Sequence, residues 1–321
     1  MYSNAAAVFR ADLSGYVFET ADWEKNLVGT RVMPIINVDS RTGQYPVFKK
    51  TKGQLLKRTV KARAPYSSFP RSTMIFEQDT YACQEWGQEQ AVDDTMSKDY
   101  ARFFDAEVIA ASMARRKLLL DHEIRVAAQI QNTSNFSATN SGTAYTLANI
   151  ATFDFALDVD GIKDTLIGLG ETPNTVVIPY QVWSRIKAST KFQNRLRGAG
   201  ITSDSILNVS PEAAAEVLEV ENVVIAKGAY DTAAEGIAFT SGLIWANTYI
   251  WIGKVTAAGT PAAMLQGGAG YTLNWSQFGA PVGVSTYRDE VNKSDIVRSE
   301  QCTAEKIVNA AAGALLTTQY A

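Results

Sequence analysis

Chemistry that needs histidine has one residue to work with in this chain, His122. The pair His122-Glu123 opens like the helix motif of zinc proteases, in which a second histidine four positions on completes the metal site. That position holds Val126, and the chain has no other histidine. Histidine-built metal sites and most catalytic triads are excluded with it, and His122 is expected to be an ordinary helix residue between Asp121 and Glu123. Asp158-Val159-Asp160-Gly161 looks like part of a calcium loop. In that register the first ligand position is Ala156 and the twelfth, which must carry a bidentate carboxylate, is Ile167. A helix start or turn is expected instead. Gly267-Gly268-Ala269-Gly270 has neither the Lys-Ser/Thr nor the strand-to-helix setting of a phosphate loop and is expected to be a flexible connection. No Gly-x-Ser-x-Gly elbow is present, and nothing favours the paired carboxylates of a glycosidase. Cys83 and Cys302 are too few for a disulfide scaffold and suit a reducing compartment. No catalytic, cofactor-binding or metal-ligating residue is therefore assigned.

Charge is the chemistry that remains, and it is unevenly placed. Between Ser40 and Phe76 there are nine basic residues and no acidic one: Arg41, Lys49, Lys50, Lys52, Lys57, Arg58, Lys61, Arg63 and Arg71. The next block reverses sign, with Glu77, Asp79, Glu85, Glu89, Asp93, Asp94, Asp99, Asp105 and Glu107 against only Lys98 and Arg102. Tyr45, Phe48, Tyr66 and Phe69 interleave the basic run, which superficially fits a nucleic-acid strip. The overall charge of −3 argues against a protein that coats nucleic acid. A subunit-facing or solvated loop is the plainer reading, and such an asymmetry usually marks a contact surface.

These residues must be carried by elements, and the texture of the chain indicates which. With 321 residues, 46% of them hydrophobic, the chain can build one large or two ordinary domains around a real core. No apolar run is long enough to span a bilayer. Residues 1–30 read as an extended arm. Residues 31–82, with short β-like runs at 32–38 and 74–76 among Gly and Pro, read as a long exposed hairpin. From Gln88 to Ser141 there is neither Gly nor Pro. Apolar residues recur there at steps of three and four, so one helix is expected over 94–132, roughly 60 Å long. The Ser/Thr/Asn-rich stretch 133–149 reads as a surface loop. An α/β layer follows: helix 153–169, strand 175–178, helix 180–197, helix 211–220 and strand 223–226. The end is β-like, over 242–255, 271–275, 282–288, 296–302, 304–308 and 314–316.

TPNTVVIP at 172–179 with KFQNRL at 191–196, EVENVVIAKGAYDTA at 219–233, IWANTYIW at 244–251, and YRDE at 287–290 with the segment 294–316 carry a resemblance of the second half of the chain to the major capsid proteins of tailed bacteriophages, which share the Hong Kong 97 capsid fold. It spans about residues 30–318 and rests on the order and length of elements. It implies an α+β fold with an N-terminal arm (1–35), an extended β-hairpin E-loop (36–85), a peripheral domain with a long spine helix (86–150) and an axial α/β domain (151–255). Residues 256–321 would return to the peripheral sheet and a final axial strand. It further implies a structural protein, not an enzyme, that assembles with itself as hexamers and pentamers into an icosahedral head around double-stranded DNA. A separate scaffolding protein, a portal protein and a decoration protein would be partners, with neither cofactor nor membrane. The site would be the virion, assembled in host cytoplasm. A protein-loaded nanocompartment shell of the same fold is the near alternative, and an unrelated soluble enzyme the remote one. In the family the E-loop crosses a neighbouring subunit, which makes Lys49, Lys50, Lys52, Lys57 and Arg58 of one copy and Glu89, Asp93 and Asp94 of another the expected contact residues.

Overall fold

The computed structural model describes residues 8–9, 22–47, 56–71, 77–100, 105–198, 209–234, 236–257, 261–275 and 282–320. In chain order these form β1 (Val8–Phe9), α1 (Gly29–Val32), β2 (Ile35–Val38), β3 (Thr42–Val47), β4 (Glu77–Ala82), β5 (Gln84–Asp93), α2 (Asp94–Tyr100) and α3 (Ala106–Ile130). They continue with β6 (Ser137–Asn140), α4 (Phe155–Gly168), β7 (Thr175–Pro179), α5 (Tyr180–Ala188), α6 (Thr190–Gly198), α7 (Pro211–Val217), β8 (Asn222–Ala226), β9 (Ala229–Asp231) and β10 (Ser241–Leu243). The last strands are β11 (Tyr249–Gly253), β12 (Gly270–Trp275), β13 (Gly283–Asp289), β14 (Ser294–Ile307) and β15 (Gly313–Thr317).

The first sheet is built on β14. Thr303 pairs with Gln84 of β5 and with Asn274 of β12, so those strands flank β14 on opposite sides. Residues 294–300 pair with β13 and with β5, which places β13 on the side of β12. β12 and β13 thus lie end to end along one long strand, backed by β2 and β1. Side chains alternate between faces. Thr272, Thr303 and Glu305 turn towards α3, where they meet His122 and Arg125. Leu273, Cys302 and Ala304 turn the other way and pack with Tyr45, Val47, Tyr81 and Cys83 at the base of the β3–β4 hairpin.

The second sheet has the order β6-β15-β11-β7-β8. One face, with Val176, Ile178, Ile250, Ile252 and Leu316, buries Phe155, Ile162 and Leu166 of α4, Trp183 of α5, Phe192 of α6 and Leu218. The other face, with Val177, Val224, Trp251 and Leu315, meets Val126, Ala127 and Ile130 of α3. Farther up the same helix, Ala110 and Ala111 pack on Val284 and Val297 of the first sheet. One helix of 25 residues, about 37 Å long, therefore joins two cores. Each large apolar side chain buried in them contributes about 1.5–3 kcal/mol.

Several expectations are corrected by the structure. The single helix over 94–132 is two helices. Asp105 is extended (φ −82°, ψ 113°) and its carboxylate accepts from the Glu107 N–H. An N-cap carboxylate bound to its own helix start ends whatever precedes it; residues 101–104 lie outside the described residues. The helix over 180–197 is likewise two, because Ser189 is extended and its buried hydroxyl donates to the Phe153 carbonyl at 3.4 Å. The strand expected over 32–38 begins only at Ile35, after the turn of α1, and that over 242–255 is β10 and β11. The two strands over 296–308 are one, since Thr303 is laddered on both sides. The loop over 133–149 contains β6, a parallel edge strand on β15, and buries Phe136 and Tyr145. The arm over 1–30 ends in a core residue, Val28, which is 1% exposed. The run 74–76 lies outside the described residues.

Candidate assembly surfaces

β3 and β4 pair from Thr42↔Ala82 to Val47↔Glu77 and carry the basic excursion between them. Every described residue of that excursion, 56–71, is exposed. Leu56, Val60, Tyr66 and Phe69 are among the most exposed apolar side chains of the protein. The Arg63 guanidinium lies over the Phe69 ring at 5.3 Å. Leu56 lies against Gly170, where φ is +80° and an added β-carbon would stand 2.9 Å from the Leu56 methyl. Apolar groups gathered on an exposed segment mark a surface suited to contact with another molecule. Lys57 and Arg58 are exposed on this segment; Lys49, Lys50 and Lys52 lie outside the described residues.

The acidic residues gather on β5 and α2, and each of the three singled out is engaged within the chain. Glu89 pairs with Arg298 of β14 at 2.6 Å and accepts from the Tyr287 hydroxyl at 3.2 Å. Asp94 takes a two-pronged pair from Arg288, one arm at 2.7 Å, and these bonds hold its carboxyl below the usual range. Asp93 caps α2, accepting from the N–H groups of Thr95 at 2.8 Å and Met96 at 3.3 Å, which lowers its pKa. Beside them a cleft of about 420 Å³ is lined by Glu85, Trp86, Gly87, Glu89, Arg298 and Glu300. Burial pushes Glu300 up, and Glu85 and Glu89 add to this against the pull of Arg298. Glu300 and Arg298 join this surface through the β5–β14 ladder. Their sequence distance from the acidic block hides them, and no local signal would have found them.

The other residues that invited a chemical reading are structural. His122 is 3% exposed, with Nε2 3.3 Å from the Thr272 hydroxyl. Burial, with Arg125 nearby, brings its imidazole down to about 4. The Glu123 carboxylate, 1% exposed, accepts from the Val28 N–H (3.0 Å), the Gly29 N–H (2.6 Å) and the Trp245 indole (2.6 Å). It clamps the start of α1 and the 245 loop onto α3, and its burial raises its pKa. Asp158 and Asp160 sit inside α4, bonded to the Tyr145 hydroxyl and to Lys163. Among the described residues no group of three or more His, Cys, Asp or Glu is placed to hold a metal ion, and no helix is long and apolar enough to cross a membrane.

No family model matches the chain. A major capsid protein of Burkholderia phage BcepMu is 26% identical over 305 residues, covering 90% of each chain. A phage-related protein of Bordetella bronchiseptica RB50 superposes with a TM-score of 0.72 at 20% identity, over 98% of each chain. The capsid of cyanophage P-SCSP1u gives a TM-score of 0.60 at 10% identity, over 90% of this chain and 86% of that one. The two structures establish the mixed helix-and-sheet fold; the sequence relative speaks to kind. On that sequence relative, the chain is a structural, non-enzymatic protein of the phage major capsid kind.

Proposed function

We propose that the chain assembles as hexamers and pentamers into an icosahedral head that encloses double-stranded DNA, with the sub-features of the Hong Kong 97 fold. The observation that carries this is the 26% identity to a phage major capsid protein along nine-tenths of both chains. In this reading residues 1–35 are the arm, 36–85 the E-loop, 86–150 the peripheral domain with α3 as spine helix, and 151–255 the axial domain. Residues 256–321 complete the peripheral sheet and the last axial strand. A scaffolding protein, a portal protein and a decoration protein complete the set of partners.

The excursion over 41–71 would lie on the acidic face of a neighbouring copy. Its described residues over 56–71 are exposed throughout, and the cleft at Glu85, Glu89 and Glu300 carries the opposite sign. Opposite charge steers the loop into register before Leu56, Val60 and Phe69 bury. Glu89, Asp93 and Asp94 contribute field from within their own bonds, so Glu85, which lines the same cleft, is the better acceptor. The sequence kinship with a phage capsid protein favours a DNA-filled head over a protein-loaded compartment. Nuclease digestion of purified particles tests this: protected double-stranded DNA is expected, and particles holding only a protein cargo would refute it.

A further inference from the structure

Two short helices, α5 and α6, cover one face of the second sheet with Val182, Trp183, Ile186, Phe192 and Leu196, all of them buried. Their outer side is a second basic surface. Between Glu171 and Asp204 the chain has five basic residues and no acidic one: Arg185, Lys187, Lys191, Arg195 and Arg197. Two of these are engaged within the chain. Arg185 lies over the Tyr320 ring at 4.9 Å, and Arg195 pairs with Asp154 at 3.2 Å and Asp160 at 3.8 Å. The side chains of Lys187, Lys191 and Arg197 have no partner among the described residues. Lys191 and Arg197 are exposed and Lys187 is half-buried. Lys191, Asn194 and Arg197 follow one another at steps of three along the exposed side of α6, and Lys187 stands four positions earlier, across the break at Ser189. The Gln193 side chain donates to the Lys187 carbonyl at 3.0 Å and holds the two helix ends together. α7 packs beside α6 and brings Glu212 and Glu216 to one border of this surface.

Helix stability does not account for all three cations. Lys187 and Arg197 stand in the last turns of their helices, where positive charge offsets the macrodipole. Lys191 is the second residue of α6, where a cation opposes the dipole, and no carboxylate among the described residues offsets it. The surface also differs in kind from the excursion between β3 and β4. There the cations are interspersed with exposed Leu56, Val60, Tyr66 and Phe69, the apolar and aromatic make-up of a contact with protein. Between the cations of α5 and α6 stand exposed Ser184, Thr190 and Asn194, and Tyr180 at the start of α5 is the one large apolar side chain of the two helices that is exposed. Cations, hydroxyls and amides without an apolar centre suit phosphate. We propose that the outer side of α5 and α6 binds the phosphate backbone of double-stranded DNA through Lys187, Lys191 and Arg197, without reading sequence. The identity of the polyanion rests on the head reading above, and in that head this side of the second core is turned to the interior.

The test is fluorescence anisotropy of a short labelled DNA duplex titrated with the purified, unassembled full chain at several salt concentrations. With three phosphates neutralised, raising the salt from about 50 to 200 mM should weaken wild-type binding by about 40-fold. Lys187→Gln, Lys191→Gln and Arg197→Gln together should lose most of the low-salt affinity and flatten that dependence, with circular dichroism unchanged. Lys57→Gln with Arg58→Gln, on the excursion, should bind the duplex as the wild type does. A wild type that does not bind at low salt overturns the proposal. So does a folded triple variant that binds as the wild type, or a loss confined to the excursion variant. Poly-glutamate that displaces the duplex at equal charge would make this surface a seat for an acidic protein segment, and overturns it too. Electron microscopy of the same proteins scores the head reading separately: both the wild type and the triple variant should build shells, and a wild type that builds none refutes the head, whereas the titration decides the surface by itself.

Discussion

His122 and Glu123 are neighbours on α3 and have opposite burdens. Glu123 stays buried on three donors; His122 stays buried by staying neutral. Its imidazole is lowered from 6.5 to about 4, first by burial and then by Arg125. Glu305, 3.7 Å away, does not reverse this, because Arg125 already holds that carboxylate. The unfolded chain takes up a proton near its ordinary pKa and the folded protein does not. Stability is therefore full above 6.5, falls as the pH drops from 6.5 towards 4, and is level below that. The loss amounts to about 3 kcal/mol in all. A His122→Gln variant should show a visibly flatter fall in melting temperature over that interval than the wild type. Parallel curves for the two proteins would contradict the assignment. The motif at His122 was legible as a failed metal site because Val126 replaces the ligand. The clamp made by Glu123 was not, since its donors at Val28, Gly29 and Trp245 lie far away along the chain.

At the scale of elements, what the sequence betrays depends on whether an element buries apolar groups of its own. β7 and β8 are short apolar runs bounded by Pro and Gly, buried on both faces, and they sit where periodicity puts them. β6 is Ser-Ala-Thr-Asn, exposed at every position, and exists only through its ladder with β15. Nothing in four polar residues announces a strand. β5 was missed for the same reason: its solvent face carries Glu85, Gly87 and Glu89, its edge is laddered to β14, and Trp86 on its other face lies under Arg125 of α3. The break before α3 follows from the cap at Asp105, which the apolar stripe does not show. The excursion between β3 and β4 is the element whose role is most open to test. Reversing Lys57 and Arg58 to Glu should slow particle formation and weaken its dependence on salt, which screens over about 8–10 Å. Each exposed pair is worth only ~0–1 kcal/mol, so the effect needs both changes. Adding Glu85→Lys should restore part of the rate. Normal assembly by the double variant, with loss only of packaged DNA, would make this segment a nucleic-acid strip instead.

The whole molecule is two cores strung on α3, with a basic excursion exposed over its described residues 56–71. Apolar groups such as Val60 and Phe69 are left exposed in the single chain. In the proposed head, neighbours would cover them through heterologous contacts that close into rings, with obligate interfaces of order 2,000–5,000 Å². The order of hairpin, long helix and α/β layer was legible because length, Gly/Pro punctuation and charge are properties of long stretches. The acidic cleft was half legible: Glu85 and Glu89 stand in the acidic block, whereas Glu300 and Arg298 arrive only through the β14 register. The most direct measurement is electron microscopy of the purified, concentrated protein. Closed shells of uniform size, built from rings of five and six, are the predicted result; a stable monomer at high concentration would contradict the account.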